Sequence, residues 1–238
     1  MGGRVNPVAP RSVRDTAADL AIAYIKKQIW LGVLRPGDRI PLTEIAPEIG
    51  VSPTPVREAV AALAEQGRVV VHNHRGAFVG PFDAEHLTDH YDLLGTVYGW
   101  AARRAAQRLS PTTRAELRRL SAALAVAESD DDLFAVVKTI EQTIYATAGS
   151  YSAQNAARTL EGVVPGNIYS WVESSGELVR EQMPRIVSAI CTGRADLAAR
   201  RAGEFFTEHG AMVIAQLRSN GVLSETGYED ETESAAGL

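Results

Sequence analysis

The first 80 residues combine helical patterns of apolar residues with one pair of strand-like segments. Apolar positions recur at helical spacing in three stretches, and two apolar runs flank the polar sequence HNHRG. Thr43 and Ser52 stand where the N-caps of the second and third helices are expected, because a side-chain oxygen there accepts a backbone N–H. Gly76 supplies the permissive backbone that a hairpin needs. The predicted elements are helices near residues 15–31, 43–49 and 52–67 and strands at 68–71 and 77–79.

After residue 80 the apolar positions keep helical spacing in segments rich in Ala and Leu, and no strand pattern occurs. The sequence therefore predicts a mainly α fold with an all-helical C-terminal bundle. We expect a flexible arm at 1–14, a helix-and-hairpin domain at 15–80, an all-helical domain at 81–223 and a disordered acidic tail at 224–238. The predicted helices of the bundle lie near residues 83–109, 111–128, 132–148, 152–173, 175–192 and 194–219.

The two parts of the chain also differ in charge. Residues 1–80 hold 10 Lys and Arg against 7 Asp and Glu, whereas the remaining residues hold 14 against 22. The first part therefore suits an anionic partner such as nucleic acid, and the second part suits a different partner.

Composition excludes several classes of protein. With 45% hydrophobic and 22% charged residues over 238 positions, the chain is neither disordered nor fibrous. No apolar run approaches the ~20 residues of a membrane span, and the N-terminal residues lack the apolar stretch of a signal peptide. Cys191 is the single cysteine, which excludes an internal disulfide framework. We expect a soluble protein of the reducing cytoplasm with no membrane partner.

Residues 50–80 carry the strongest functional pattern. A helix that enters the major groove of DNA needs small polar groups and an Arg at its N-terminal end, while its opposite face packs on the domain core. Ser52, Thr54 and Arg57 fit the first requirement. The hairpin tip, residues 74–76, offers a cation for phosphates or for a narrow groove. The stripe expected to be buried is Val56, Val60, Leu63 and Ala64.

The same segment, GVSPTPVREAVAALAEQGRVVVHNHRGAFVG, resembles the winged helix-turn-helix domain of GntR-type bacterial transcription regulators. The preceding AYIKKQIWLGVLRPGDRI resembles that family's first helix and the Pro-Gly turn after it. In the helical part, IEQTIYATAGS (140–150) and IVSAICTGRADLAARRA (186–202) resemble two stretches of the FadR-like subgroup. The resemblance implies a homodimeric regulator that binds a short inverted repeat in double-stranded DNA and responds to a small molecule.

Carried over by position, the resemblance implies a set of DNA-contacting residues. Arg57 matches the family's base- or phosphate-contacting Arg, and Gly76 matches its wing-tip Gly. Pro53 stands where many members have Arg or Lys, and Thr43 stands where some have a DNA-contacting Arg. Fewer cations imply a smaller salt dependence of DNA binding. The expected DNA-binding residues are Thr43, Ser52, Thr54, Arg57, His74, Arg75 and Gly76.

Many FadR-like domains hold a divalent metal, and the resemblance places poor ligands at the matching positions. Val137, Glu141, Met183 and Phe205 stand where the family has one Asp and three His, and a lone Glu cannot hold a metal. In the first helix of that domain, apolar and aromatic residues replace an Arg and a Glu. We therefore expect no metal, no cofactor and a largely apolar effector such as an acyl chain or a ring system. The expected pocket residues are Leu94, Tyr98, Val137, Glu141, Tyr145, Met183 and Phe205.

Two other functions compete with this interpretation. One is an all-helical metabolite-binding or enzymatic protein without specific DNA binding, although the sequence holds no G-x-S-x-G, H-E-x-x-H or Gly-rich phosphate-loop motif. The other is a metal sensor, because His86 and His90 are four residues apart on one predicted helix, a spacing that can bind zinc. We favour the regulator and predict that the chain is not an enzyme.

Overall fold

The fold is mainly helical, as predicted, with a two-stranded sheet in its N-terminal part. The computed structural model describes residues 16–160 and 167–223, so the predicted arm and acidic tail lie outside the described residues. The N-terminal elements are α1 (Ala17–Trp30), α2 (Leu42–Glu48), α3 (Pro53–Glu65), β1 (Val69–His72) and β2 (Gly76–Val79). The later elements are α4 (Ala84–Arg108), α5 (Pro111–Val126), α6 (Asp130–Ala148), α7 (Tyr151–Leu160), a 3-10 turn (Ile168–Ser170), α8 (Ser175–Cys191) and α9 (Ala195–Ser219).

Side chains at helix ends explain where several of these helices start and stop. Thr16 and Asp19 form a capping box at α1. The Thr16 hydroxyl accepts from the Asp19 amide at 3.1 Å, and the Asp19 carboxylate accepts from the Thr16 amide at 2.9 Å. Gly149 ends α6 in the left-handed conformation, with a φ of 66° that suits glycine. The boundaries therefore follow from local chemistry that the sequence displays.

The predicted cap of α2 is wrong. Pro41 holds the non-helical backbone of the N-cap, so the helix begins at Leu42 and Thr43 lies in its first turn. Ser52 is the N-cap of α3, as predicted, but its side chain makes no capping hydrogen bond, and Pro53 follows at the first helical position. Thr43 and Ser52 are both exposed to solvent.

The strands β1 and β2 form an antiparallel hairpin in which Val69 pairs with Val79 and His72 pairs with Gly76. Gly76 has a φ of 107°, a conformation that a side chain would strain. The segment before α2 lies against the other edge of β2, where the Ile40 amide donates to the Ala77 carbonyl at 2.8 Å. The hairpin is thereby held at its base and leaves its tip exposed.

In the bundle, α4 and α9 are long helices that pack along most of their length. Glycines make the close approach possible. A Cβ on Gly99 would lie 2.8 Å from the Ala199 carbonyl oxygen, and a Cβ on Gly210 would lie 2.6 Å from the Tyr91 ring. These positions fix the spacing of the two helices that frame one side of the bundle.

The single helix predicted over residues 152–173 is wrong. Helix α7 covers Tyr151–Leu160, and the next described residues form a 3-10 turn at Ile168–Ser170. The Asn167 side chain accepts from the Tyr169 amide at 3.0 Å and starts that turn. Between the two elements the sequence reads EGVVPG, in which Gly and Pro disfavour a continuous helix. The turn brings Tyr169 against the inner face of α6, where it contacts Phe134.

Two hydrophobic clusters make up the core, one among α1–α3 and the hairpin and one among α4–α9. Trp30, at the end of α1, belongs to the second cluster and is only 3% exposed. The Asn220 side-chain amide, beyond the end of α9, donates to the Trp30 carbonyl at 2.8 Å. Phe82, in the segment before α4, packs against both clusters. Helix α1 therefore joins the N-terminal unit to the bundle through buried contacts.

Candidate DNA-binding surface and ligand cavity

Helix α3 has one buried and one exposed face. Val56, Val60 and Leu63 are buried as predicted, and Ala64 is half-buried. Residues near the N-terminal end of the helix, Thr54 and Arg57, are exposed together with the Ser52 cap. This arrangement presents small hydroxyls and a guanidinium at the end of a helix that is anchored by its apolar stripe. It has the form that major-groove recognition requires.

The hairpin tip provides a second polar surface. His74 and Arg75 are exposed, and Gly76 is half-buried. Arg39 was not among the expected DNA-binding residues, but its guanidinium lies against the hairpin: a Cβ on Gly76 would be 3.2 Å from the Arg39 Nε atom. Arg39 forms an isolated bridge with Phe78 of β2, and its side chain is exposed. The Pro-Gly turn before Arg39 was the only sequence signal that could have placed this cation beside the tip.

A cavity of about 280 Å³ opens between α4, α6, α9 and the 3-10 turn. Most of the predicted pocket residues line it: Leu94, Tyr98, Val137, Glu141, Tyr145 and Phe205. Met183 does not; it is fully buried behind the wall, with its sulfur 3.9 Å from the Tyr98 hydroxyl. Its position on α8, one layer away from the cavity, could not be deduced from spacing alone.

Aromatic rings form the inner wall of the cavity. Tyr98 packs edge to face against Tyr145 at 5.6 Å and against Phe206 at 5.2 Å between ring centroids. Phe205 and Phe206 are 5.1 Å apart in a similar geometry. Edge-to-face contacts of this kind hold rings in fixed orientations. The wall is thus a preformed apolar surface.

Polar side chains interrupt this wall in a few places. Lys138 and Glu141 form an ion pair at 3.0 Å on one side. His209 lies on another side and is buried, with its Nε2 atom 2.9 Å from the Ser175 hydroxyl. Burial lowers the pKa of His209 to about 4, so the imidazole is neutral at pH 7. His209 was not among the predicted pocket residues, although it lies four residues after Phe205 on the same face of α9.

His86 and His90 do not face the same surroundings. His86 is exposed and its Nδ1 atom lies 2.9 Å from the Asp83 carboxylate, which raises the pKa of the imidazole. His90 lines the cavity and lies 3.4 Å from the Arg68 guanidinium; burial and that charge lower its pKa to about 4. Across residues 16–160 and 167–223, no group of three or more His, Cys, Asp or Glu is placed to hold a metal ion. The absence of a metal stays a prediction.

Comparison with known proteins assigns both parts of the chain. Residues 17–79 match the family model "Bacterial regulatory proteins, gntR family", and residues 89–209, about half of the chain, match the model "FCD domain". The chain belongs to the GntR family. As a member of the FadR-like subgroup it is a transcription regulator that combines a DNA-binding domain with an effector-binding domain, and it is not an enzyme.

Relatives of this GntR regulator match over most of their length. An uncharacterized HTH-type transcriptional regulator of Mycobacterium tuberculosis is 26% identical over 202 residues, which are 80% of this chain and 83% of the relative. A protein of Paenarthrobacter nicotinovorans named "Probable D-xylose utilization operon transcriptional repressor" is 28% identical over 222 residues, which are 91% of this chain and 96% of the relative. The solved structure of E. coli McbR/YncC shares the fold, with a TM-score of 0.60 at 20% identity over 85% of this chain and 99% of that chain.

Within the described ranges, none of the regulator's helices combines the length and hydrophobicity that crossing a bilayer requires.

Replacement of Arg57 tests the DNA-binding surface. We expect Arg57→Ala to weaken binding to an operator selected from random DNA by about 1–3 kcal/mol per half-site, because a guanidinium contact at the end of α3 is lost. Arg119→Ala is the matched control, since Arg119 is exposed on α5 and pairs with Glu116. Electrophoretic mobility shift at fixed salt measures both affinities. Equal operator affinity in Arg57→Ala and the control would contradict the assignment of α3.

The buried imidazole predicts a pH dependence of stability. Because the folded-state pKa of His209, about 4, lies below the ordinary 6.5, the unfolded chain binds more protons between these values. The free energy of unfolding should therefore fall as pH falls from 6.5 toward 4. His209→Gln should flatten this slope by up to about 1.4 kcal/mol per pH unit in urea titrations.

His86→Gln is the control for this slope. The pKa of His86 is raised, so its contribution to stability is present below pH 6.5 and is lost as pH rises through the folded pKa. Replacing His86 therefore cannot flatten the fall of the free energy of unfolding at low pH. A slope that is unchanged in His209→Gln would show that the imidazole is not neutral in the folded protein.

Proposed function

We propose that this regulator is a cytoplasmic homodimeric repressor whose affinity for an inverted-repeat operator is controlled by a small, largely apolar metabolite. The observation that carries the proposal is the cavity of about 280 Å³ with an aromatic wall inside the effector-binding part of the chain. The DNA-binding residues proposed for this function are Thr43, Ser52, Thr54, Arg57, His74, Arg75 and Gly76, with Arg39 added by its position beside the hairpin tip.

The chemistry of the wall supports an apolar body for the effector. Leu94, Val137 and Phe205 present hydrocarbon to the cavity, and Tyr98 presents a ring. Burying a carboxylate or several hydroxyls against these groups would leave them without partners, which is costly. The volume is close to the lower end of small-molecule sites, ~300–1,000 Å³, which favours a ring system or a short acyl chain.

A homodimer follows from the demands of operator recognition. One winged helix makes few base contacts, and two that are joined rigidly gain effective concentration on an inverted repeat. Helix α4 offers a surface for this contact, because Leu93 and Trp100, seven residues apart, are 52% and 44% exposed while the opposite face of the helix is buried. We propose that the two copies meet at this stripe.

A ligand screen tests the effector. Thermal-shift measurements with fatty acids, acyl-CoAs, aromatic compounds and small hydroxy-acids should show stabilisation by an apolar compound, by about 2.7 kcal/mol when its concentration is 100 times Kd. Val137→Phe should remove the shift by filling the cavity, whereas Val126→Phe should retain it because Val126 is exposed on α5. Stabilisation by citrate or a sugar acid alone would overturn the proposal.

Charge placed on the α4 stripe tests the dimer. In sedimentation velocity we expect wild type to sediment as a dimer and Trp100→Glu as a monomer, because an unpaired carboxylate would be buried in the interface. Tyr151→Glu is the control, since Tyr151 is 74% exposed on α7. A Trp100→Glu protein that still sediments as a dimer would place the interface elsewhere.

A further inference from the structure

The cavity is not closed by the effector-binding part alone. Lys26 of α1, a helix of the DNA-binding part, contributes to its lining beside His90. Lys26 also borders a smaller cleft between the two parts of the chain, and Arg68 lines that cleft as well. Arg68 directly follows the turn after α3, and its guanidinium reaches to 3.4 Å from the His90 Nδ1 atom. Lys26 therefore stands where the cavity and the cleft adjoin, and Arg68, which lines the cleft but not the cavity, reaches the cavity residue His90.

Among residues 16–160 and 167–223, no carboxylate is paired with either cation. None of the ion pairs found in the described part of the chain includes Lys26 or Arg68, and both side chains are half-buried. Burial and the charge of Arg68 lower the pKa of Lys26 to about 8, and burial lowers the pKa of Arg68. The groups packed around them, His90 and Tyr91, supply no negative charge at pH 7, because His90 is neutral and burial raises the pKa of Tyr91.

The carboxylate in the described lining of the cavity already has a cationic partner. Glu141 is the carboxylate of the lining, and it is paired with Lys138 at 3.0 Å. The described lining therefore holds one ion pair, one further cation at Lys26 and the aromatic wall. A ligand with an apolar body and one negative group would place the body against Tyr98 and the charge at Lys26.

We propose that the effector is an apolar monoanion whose charged group binds Lys26 and Arg68, so that the ligand bridges the effector-binding helices and the DNA-binding part. This inference rests on the proposed function of the cavity and names the class of its ligand. It refines the expectation drawn from the sequence, in which the bundle has lost most of the groups that hold a small carboxylate in the family. The anion site is supplied from outside the bundle.

The bridge gives the ligand a direct route to the DNA-binding surface. The Arg68 backbone is held between α3 and the hairpin, since its carbonyl accepts from the Gly80 amide at 2.8 Å and its amide donates to the Leu63 carbonyl at 2.9 Å. An anion bound to the Arg68 side chain thus acts on the junction of the two elements that carry Arg57 and the hairpin tip. Coupling between ligand binding and DNA binding requires a contact that differs between the free and the ligand-bound protein, and the contact of the anion with Arg68 is of this kind.

Matched acid and amide probes test the proposal. Phenylacetate is compared with phenylacetamide, and octanoate with octanamide, by isothermal titration calorimetry of the full chain. Each pair shares an apolar body and differs in charge. We expect the acid of at least one pair to bind about tenfold or more tightly than its amide, because hydrogen bonds to charged groups are the stronger ones.

Variants locate the charge contact. Lys26→Gln and Arg68→Gln should each reduce the affinity for the acid to that for the amide while the amide binds as in wild type, which also shows that the cavity is intact. Lys27→Gln is the matched control, because Lys27 is on the same helix and half-buried but does not line the cavity.

The outcomes separate this inference from the proposed function. Equal affinity for acid and amide in wild type, or an acid preference that survives in Lys26→Gln and Arg68→Gln, would overturn the anion site and leave the apolar cavity in place. A lack of binding by all four probes would contradict both the anion site and the proposed effector.

Discussion

The burial of Trp30 is the contact on which the arrangement of this regulator depends. Its indole lies in the core of the bundle although the residue belongs to α1, and the Asn220 amide holds its carbonyl. Residues four apart share one face of a helix, so the burial of Trp30 brings Lys26 onto the side of α1 that faces the bundle. The same contact thereby completes the cavity and joins it to the DNA-binding part.

Local chemistry made much of the fold predictable. The hairpin follows from two apolar runs and a glycine at φ 107°, and the buried stripe of α3 follows from helical spacing. Two helix boundaries differ from the prediction for local reasons. Pro41, not Thr43, is the N-cap of α2, and the Gly and Pro residues after Leu160 disfavour the continuous helix that was predicted there. In both cases a conformational restriction of the backbone decided the boundary.

The cavity was predictable only in part. Six of the seven residues expected from the family resemblance line it, because helix spacing fixes which positions face the bundle interior. Lys26 and His209 were not among the expected residues, and Arg39 was not placed beside the hairpin. Lys26 and Arg39 owe their places to contacts between elements distant in sequence, about which periodicity within one helix carries no information. His209, in contrast, lies four residues after Phe205 on the same face of α9.

In the regulator proposed here, ligand and operator act on one another through α1 and Arg68. Thermodynamic linkage makes this claim measurable, since two coupled ligands must change each other's affinity by the same factor, typically about 5–150-fold. The most direct measurement is the Kd of the tightest-binding acid for the free protein and for the protein saturated with operator duplex. We expect the two values to differ by the factor with which the acid changes operator affinity. Identical values for the free and the DNA-bound protein would contradict this coupling.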